Sequence, residues 1–154
     1  MSPESPSAFP TVPEGYTPLE RGGPYFRQLG AVYKRVAEGG GIVIGLRIDT
    51  PHTNIRGITH GGMLATLADA ALGINLALAR TPPQPMVTVN LSIDYLDAAR
   101  PGDWLEAHVA VRKLGRRLAF AECTLQVGER RVLRASGVFT VVGKGAVQGR
   151  EFDG

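Results

Sequence analysis

One segment constrains the fold of this 154-residue chain more than any other: the 17 residues from Met63 to Ala79. They are apolar on nearly every side of the helix that they favour, and Asp69 is their only charged residue. A helix that is apolar all round is buried inside a protein and does not lie on its surface. It is also shorter than the roughly 20 residues needed to cross a bilayer. The rest of the chain must therefore supply walls around one central helix.

Strand patterns dominate the chain after this helix. Turn signals at Pro101–Gly102, Gly115 and Gly128–Glu129 separate the runs. Such short links join antiparallel neighbours. The predicted strands cover residues 86–96, 104–113, 118–127 and 132–142. In the first, strict alternation places Val87, Val89, Leu91, Ile93 and Tyr95 on one face and Thr88, Asn90, Ser92 and Asp94 on the other.

Two elements are predicted before the central helix. Pro24 opens a helix that runs through Val36, because apolar residues recur there at helical spacing, and residues 42–48 form a strand. The residues on one face of that first helix are Phe26, Leu29, Val32, Tyr33 and Val36. Together these elements predict an α+β fold in which an antiparallel sheet curls around one long helix. A second copy of the chain is the economical cover for the helix faces that the sheet misses.

Length and composition indicate one domain in a reducing compartment. We expect a mobile Pro/Ser-rich arm over residues 1–20, a single domain over 21–144 and a tail over 145–154. One cysteine, Cys123, excludes a disulfide framework and a cysteine zinc site, and the three histidines lack metal-ligand spacing. A net charge of +3 is too small to indicate nucleic-acid binding. The first residues do not resemble a signal peptide, so we expect a cytoplasmic protein that binds neither nucleic acid nor a membrane.

Asp69 is the first candidate for chemistry. A carboxylate in an apolar helix is costly to bury without a partner. It could act in catalysis, or it could be a structural residue that pairs with Arg56 or Arg80 or faces solvent. The sequence alone leaves these interpretations open.

A second candidate is the segment His60–Gly61–Gly62, at the start of the same helix. The N-terminus of a helix offers free N–H groups, and glycine lets a ligand oxygen approach them, as in an oxyanion hole. The alternative is a tight junction capped by a histidine. Asn54, six residues earlier, carries an amide that can orient water or a carboxylate. No motif for a serine or cysteine nucleophile accompanies them.

Helix geometry separates the two candidates. Gly61 and Asp69 are eight residues apart, which is about 12 Å along a helix. One chain therefore cannot bring both to one carbonyl. Two antiparallel central helices in a symmetric dimer could bring Gly61 of one chain to Asp69 of the other.

A third candidate is basic. Arg112, Lys113, Arg116 and Arg117 surround the turn at Gly115 with no acidic residue among them. Such a cluster suits a phosphate-bearing ligand, but it could equally be a solvated hairpin tip.

The spacing of these residues resembles a known family. The chain contains the pattern N-x-x-G-x-x-H-G-G, followed by an apolar helix with an acid nine residues after the histidine. In this pattern it is similar to the hotdog-fold acyl-CoA thioesterases of the phenylacetate-degradation (PaaI) and 4-hydroxybenzoyl-CoA types. The match covers roughly residues 24–142. It implies a hotdog fold, hydrolysis of aryl or medium- to long-chain acyl-CoA without a cofactor or metal, and a homodimer or dimer of dimers.

The resemblance also implies roles for individual residues. Asp69 would be the general base or nucleophile, Gly61 would polarise the thioester carbonyl, and Asn54 and His60 would orient water and the loop. Thr88 would assist, while Gly62, Lys113, Arg116 and Arg117 would bind coenzyme A. Some members carry a hydroxyl residue where Gly73 stands, so we expect room there for a bulkier acyl group. The alternative function is a non-catalytic acyl-CoA sensor with the same fold.

Overall fold

The computed structural model describes residues 12–143. Seven strands and two helices follow the chain in a simple order. They are β1 (Thr17–Pro18), α1 (Gly23–Phe26), β2 (Tyr33–Val36), β3 (Ile42–Arg47), α2 (Gly61–Leu78), β4 (Met86–Tyr95), β5 (Trp104–Leu114), β6 (Leu118–Val127) and β7 (Arg130–Val141). Short 3₁₀ turns cover Arg27–Leu29 and Thr50–His52.

All seven strands form one antiparallel sheet in the order β1-β2-β3-β5-β6-β7-β4. The sheet wraps around α2, whose residues Leu67, Ala68, Ala71, Leu72 and Leu76 have no exposed surface. This confirms the predicted α+β hotdog architecture with its long central helix. By length and apolarity alone α2 could cross a membrane, but here it is the core helix of the sheet.

A buried amide ties α2 to the sheet. Asn75 accepts a hydrogen bond from Ile42 N–H at 2.9 Å and donates to Ile42 C=O at 3.1 Å. It also donates to Ala71 C=O, one helical turn earlier. A buried amide without partners would destabilise the core, whereas this one sets the position of α2 against β3.

The predicted helix from Pro24 to Val36 is wrong in its second half. The helical turns end at Gly30, whose φ of 84° is favourable only for glycine. Tyr33 and Val36 then pair with Gly45 and Ile42 of β3. The apolar residues here satisfy a helical period and a strand equally well over so few turns, and the partner strand decides the outcome.

Order extends into the predicted N-terminal arm. Thr17 and Pro18 pair with β2, and Leu19 is buried in the core. The structure therefore corrects that prediction for residues 17–19. The predicted tail over 145–154 lies outside the described residues, as do residues 1–11.

A β-bulge in β4 corrects the predicted alternation. Thr88 is opposite Phe139 of β7, but Asn90 is opposite Val138, so Val89 is an extra residue. Residues opposite each other share a face of the sheet, and Phe139 is buried in the core. The bulge thus turns Thr88 inward, toward α2, while Val87 takes the outer face.

Residues on the outer face of β2 and β5, together with Tyr16 just before β1, form what we call the outer cluster: Tyr16, Arg35, Trp104, Glu106 and His108. The Tyr16 hydroxyl donates to Glu106, and Arg35 Nε donates to Tyr16 at 3.3 Å. His108 Nε2 lies 3.3 Å from Glu106. The rings of Tyr16 and Trp104 meet edge to face at 5.0 Å. The cluster fastens the chain before β1 to the sheet.

Candidate active site

The Asp69 carboxylate lies half-buried on α2, facing a groove of about 720 Å³. Its Oδ1 accepts a hydrogen bond of 2.6 Å from the Thr88 hydroxyl. Within residues 12–143 it forms no ion pair, and Arg80 instead donates to Gly115 C=O at 2.7 Å. The structural alternative in which Arg56 or Arg80 neutralises Asp69 is therefore wrong. An unpaired carboxylate at the edge of a groove can accept a proton or attack a carbon.

The bulge at Val89 is what delivers Thr88 to this carboxylate. The sequence pattern placed Thr88 on the face opposite Leu91 and Ile93, away from the core. The extra residue reverses that direction locally. The family resemblance and the alternation pattern thus disagreed about Thr88, and the structure supports the placement that the resemblance implied.

At the start of α2, most of the first backbone N–H groups already have a hydrogen-bond acceptor. His60 caps the helix, and its Nδ1 accepts a hydrogen bond of 2.8 Å from Gly62 N–H. Met63 and Leu64 donate to His60 C=O at 3.0 and 3.2 Å. Among the described residues nothing accepts a hydrogen bond from Gly61 N–H. Gly61 N–H is thus a free donor at the predicted position, whereas the N–H group of Gly62, a residue predicted to bind coenzyme A, already donates to His60.

The loop that carries Asn54 and His60 is held from both ends. Asn54 Oδ1 accepts from Arg56 N–H at 2.9 Å, and His60 N–H donates to His52 C=O at 2.8 Å. The buried His52 ring accepts from Asp49 N–H and bonds to Leu29 C=O at 2.7 Å. The oxygen of Asn54 is thus committed to the turn, which leaves its NH₂ group to orient water or substrate.

Tyr95 is a residue of this site that sequence reasoning placed only as part of an apolar strand face. Its hydroxyl donates to Gly61 C=O at 2.8 Å. Its ring lies 3.3 Å from the point where a Cβ on Gly61 would stand. Nothing in the strand pattern distinguishes it from Ile93, because its role depends on where the end of β4 meets the start of α2.

The two halves of the site remain apart within one chain. Gly61 and Asp69 lie on the same helix α2, so their separation of about 12 Å stands. β4 contacts each half at a different end, through Thr88 at Asp69 and through Tyr95 at Gly61.

The groove beside Asp69 is lined mainly by apolar side chains, with Arg21 and Tyr25 contributed by the segment around α1. Gly73 lies in its floor, but a Cβ there would come within 3.2 Å of the Phe139 ring. Phe139 therefore takes up much of the space that the missing side chain leaves, contrary to the expectation of extra room at Gly73.

The basic turn is only partly free of acids. Arg112 pairs with Glu122 of the neighbouring strand at 2.7 Å. Lys113, Arg116 and Arg117 are exposed, and within residues 12–143 they form no ion pair. These three remain available to an anionic ligand.

Other chemistry finds little support in the described residues. Burial raises the pKa of Cys123 to about 12, which makes its thiol a poor nucleophile. Between residues 12 and 143, no group of three His, Cys, Asp or Glu side chains could hold a metal ion.

Comparisons with known proteins agree with this geometry. The model of the thioesterase superfamily matches residues 56–133. A Pseudomonas aeruginosa protein named "Putative esterase PA0474" is 52% identical over 83% of this chain and 96% of its own length. Human acyl-coenzyme A thioesterase 13 is 32% identical over 64% of this chain and 70% of its own. The Bacillus halodurans protein BH2602, solved with CoA, superposes with a TM-score of 0.66 at 26% identity, covering 71% of this chain and 73% of that protein.

A sheet closed around one helix, with a carboxylate on that helix and a free N–H group at its start, defines a hotdog-fold protein built for acyl chemistry. The match over residues 56–133 and the 52% identity to a full-length relative make the assignment specific. The chain belongs to the thioesterase superfamily.

Proposed function

We propose that the protein hydrolyses acyl-CoA thioesters at a site completed by a second copy of the chain. The observation that carries this is the unpaired Asp69 carboxylate, which faces a groove and is held by Thr88. Mere binding of an acyl-CoA would not need a carboxylate in an apolar helix, since burying one is costly. The names of the human relative and of the CoA-bound neighbour support the substrate class.

The chemistry follows from the groups present. Gly61 N–H donates to the thioester oxygen and stabilises the negative charge that develops there. Asp69 either takes a proton from water as it attacks, or attacks the carbonyl itself to form an anhydride that water then hydrolyses. In both routes the C–S bond breaks, the coenzyme A thiolate leaves and gains a proton, and a free acid forms. No cofactor takes part in either route.

The free edge of β4 supports a shared site. Among the strands of residues 12–143, β4 pairs with β7 alone, and its Val87, Val89 and Tyr95 side chains are each at least half exposed. Long exposed edges are normally covered. A second β4, paired antiparallel about a two-fold axis near Leu91, places the Thr88 end of one strand opposite the Tyr95 end of the other. Asp69 of one subunit then lies nearest Gly61 of its partner.

The remaining predicted contacts fit the two ends of an acyl-CoA. The apolar groove at Asp69 receives the acyl group, and Lys113, Arg116 and Arg117 attract the phosphates of coenzyme A. We expect the enzyme to work in the cytoplasm, as a dimer or as a dimer of dimers. The non-catalytic sensor remains the second candidate, and turnover distinguishes the two.

A mixed-dimer experiment tests the shared site. One chain carries Asp69→Asn and the other carries Gly61→Pro, which removes the donor N–H group. Proline is tolerated at the first position of a helix, and His60 already has the extended backbone (φ −63°, ψ 133°) that precedes proline. Each homodimer should be nearly inactive. Random pairing of equal amounts of the two chains should restore about a quarter of wild-type activity, because half the dimers carry one intact site of two.

Gly61→Ala is the matched control. It adds the same Cβ beside Tyr95 but keeps the N–H group, so it should keep most of the activity. Differential tags must show that mixed dimers are present, and co-expression avoids slow subunit exchange. Mixed dimers without recovered activity would show that each site comes from a single chain. Gly61→Pro homodimers with wild-type turnover would remove Gly61 from the mechanism.

A further inference from the structure

We propose that Tyr95 is a positioning residue for the Gly61 N–H group. The proposal rests on the function proposed above, in which this N–H group binds the thioester oxygen. Tyr95 does not reach the reacting atoms itself in this assignment. It acts on the peptide that follows the donor.

Both ends of one peptide group are held by side chains. The carbonyl of the Gly61–Gly62 peptide accepts from the Tyr95 hydroxyl at 2.8 Å, and the N–H of the same peptide donates to His60 Nδ1 at 2.8 Å. Tyr95 comes from the end of β4 and His60 from the loop before α2. A peptide held at its oxygen and at its nitrogen cannot rotate about the chain.

The two glycines make such a clamp necessary. Glycine has no Cβ to restrict its backbone, so consecutive glycines at a helix start sample many orientations. The first N–H groups of a helix also lack the intrahelical bonds that hold later ones. Met63 and Leu64 hold the carbonyl of the peptide that carries the Gly61 N–H group, and Tyr95 and His60 hold the next peptide. Gly61 is thus restrained on both sides, and Tyr95 supplies the restraint on the C-terminal side that a flexible glycine lacks.

The Tyr95 ring adds a steric restraint. Its Cε1 and Cζ atoms lie 3.3 Å from the Cβ position of Gly61. The ring therefore closes one side of the helix start. The bond to Gly61 C=O polarises the N–H group of Gly62, not that of Gly61, so the effect on the donor is one of direction.

The same strand positions both halves of the chemistry. Thr88 holds Asp69 and Tyr95 holds Gly61, and both lie on β4. The β4 edge is also the surface proposed to contact the second subunit. That subunit therefore contacts the strand that positions both the donor and the acid.

Tyr95→Phe tests the proposal, since it removes the hydroxyl and keeps the ring. Tyr95 is 54% exposed, so the variant should fold normally. We expect kcat to fall about 10- to 100-fold, the scale of a small misplacement of a reacting group, while KM changes less than about two-fold. Tyr33→Phe, which removes a hydroxyl next to the outer cluster, is the matched control and should leave both constants unchanged.

A spectroscopic measurement separates this proposal from the function on which it rests. In the Asp69→Asn background an isotopically labelled acyl-CoA stays bound unhydrolysed, and hydrogen bonding lowers the stretching frequency of its carbonyl. Adding Tyr95→Phe should remove part of that lowering. If Asp69→Asn alone shows no lowering, the oxyanion donor itself is wrong. If the lowering is present and survives Tyr95→Phe, together with wild-type kcat in the single variant, Tyr95 does not position Gly61.

Discussion

Titratable side chains lie both at the site on the inner face of the sheet and in the outer cluster, but the two regions differ in how these side chains are hydrogen-bonded. In the outer cluster Tyr16, Arg35, Glu106 and His108 bond to one another. At the site, Asp69 has one neutral partner and Gly61 N–H has none among the described residues. Groups that satisfy each other hold the chain in place, whereas groups left open are available to a ligand.

This difference also appears in the pKa values. Burial raises the pKa of Tyr16, and its hydrogen bond to Glu106 acts in the same direction. Burial alone would raise the pKa of Glu106, but hydrogen bonds from Tyr16 and His108 outweigh it and hold the pKa below its ordinary value. Groups with a perturbed pKa are candidates for function, yet burial and mutual hydrogen bonding explain these two shifts without a ligand.

The largest expected effect contrasts the two carboxylates directly. Asp69→Asn should lower kcat by about 10²–10⁴-fold, the range for loss of a general base or nucleophile. Glu106→Gln, an equally conservative change outside the site, should leave kcat within about two-fold in folded protein. Thiol release from a panel of aryl- and fatty acyl-CoA esters measures both. Equal losses in the two variants would erase the distinction between the regions, and full turnover in Asp69→Asn would remove Asp69 from the mechanism.

The second prediction applies the same contrast to the basic turn. Arg116→Gln with Arg117→Gln should raise KM for acyl-CoA several-fold, because exposed charges contribute modestly to phosphate binding and are screened by salt. Arg112→Gln, which loses an arginine already paired with Glu122, should change KM less. A short thioester without the nucleotide should be hydrolysed equally by all three proteins. If that substrate suffers the same loss, the turn has a structural role only.

The smallest expected effect concerns stability and pH. Since the pKa of Glu106 is lowered by folding, its stabilising effect is present above the ordinary value of 4.5 and is lost as the pH falls through the lower, folded value. Glu106→Gln loses the charge on a carboxylate that bonds to Tyr16 and His108. Tm at pH 7 should fall by about 2–4 °C, the shift for about 1 kcal/mol in a domain of this size. The two proteins should converge once the pH falls below the lowered pKa of Glu106 in the folded protein. A Tm difference that is independent of pH would mean that the carboxylate charge contributes nothing.

Some features of the structure are predictable from the sequence because they depend on local pattern. The all-round apolar character of α2 and the turn signals after it predict one core helix and antiparallel strands. β2 is not predictable in this way, since Tyr33 and Val36 suit a helix or a strand until β3 provides a partner. The same holds for β1, which is only two residues long.

The residues of the site likewise fall into those that the sequence predicts and those that only the structure reveals. Asp69 is conspicuous because it is the only charge in an apolar helix, and Gly61 because it lies at the helix start. The occupation of Gly62 N–H by His60, and the contact of Tyr95 with Gly61, depend on atoms that only the folded chain brings together. Period-two alternation cannot reveal this bulge, because the extra residue Val89 is apolar like Leu91 and Ile93 and keeps the alternation of the sequence intact.

The bulge at Val89 also changes how this strand should be compared with its relatives. Positions before Val89 and positions after it follow opposite alternations, so an alignment without a gap there matches inward residues to outward ones. A relative that lacks the extra residue would direct a different chain position at its acid, even where the surrounding letters look alike. One inserted residue, with no change in side-chain type, is enough to exchange a surface hydroxyl for one that bonds to the carboxylate on the central helix.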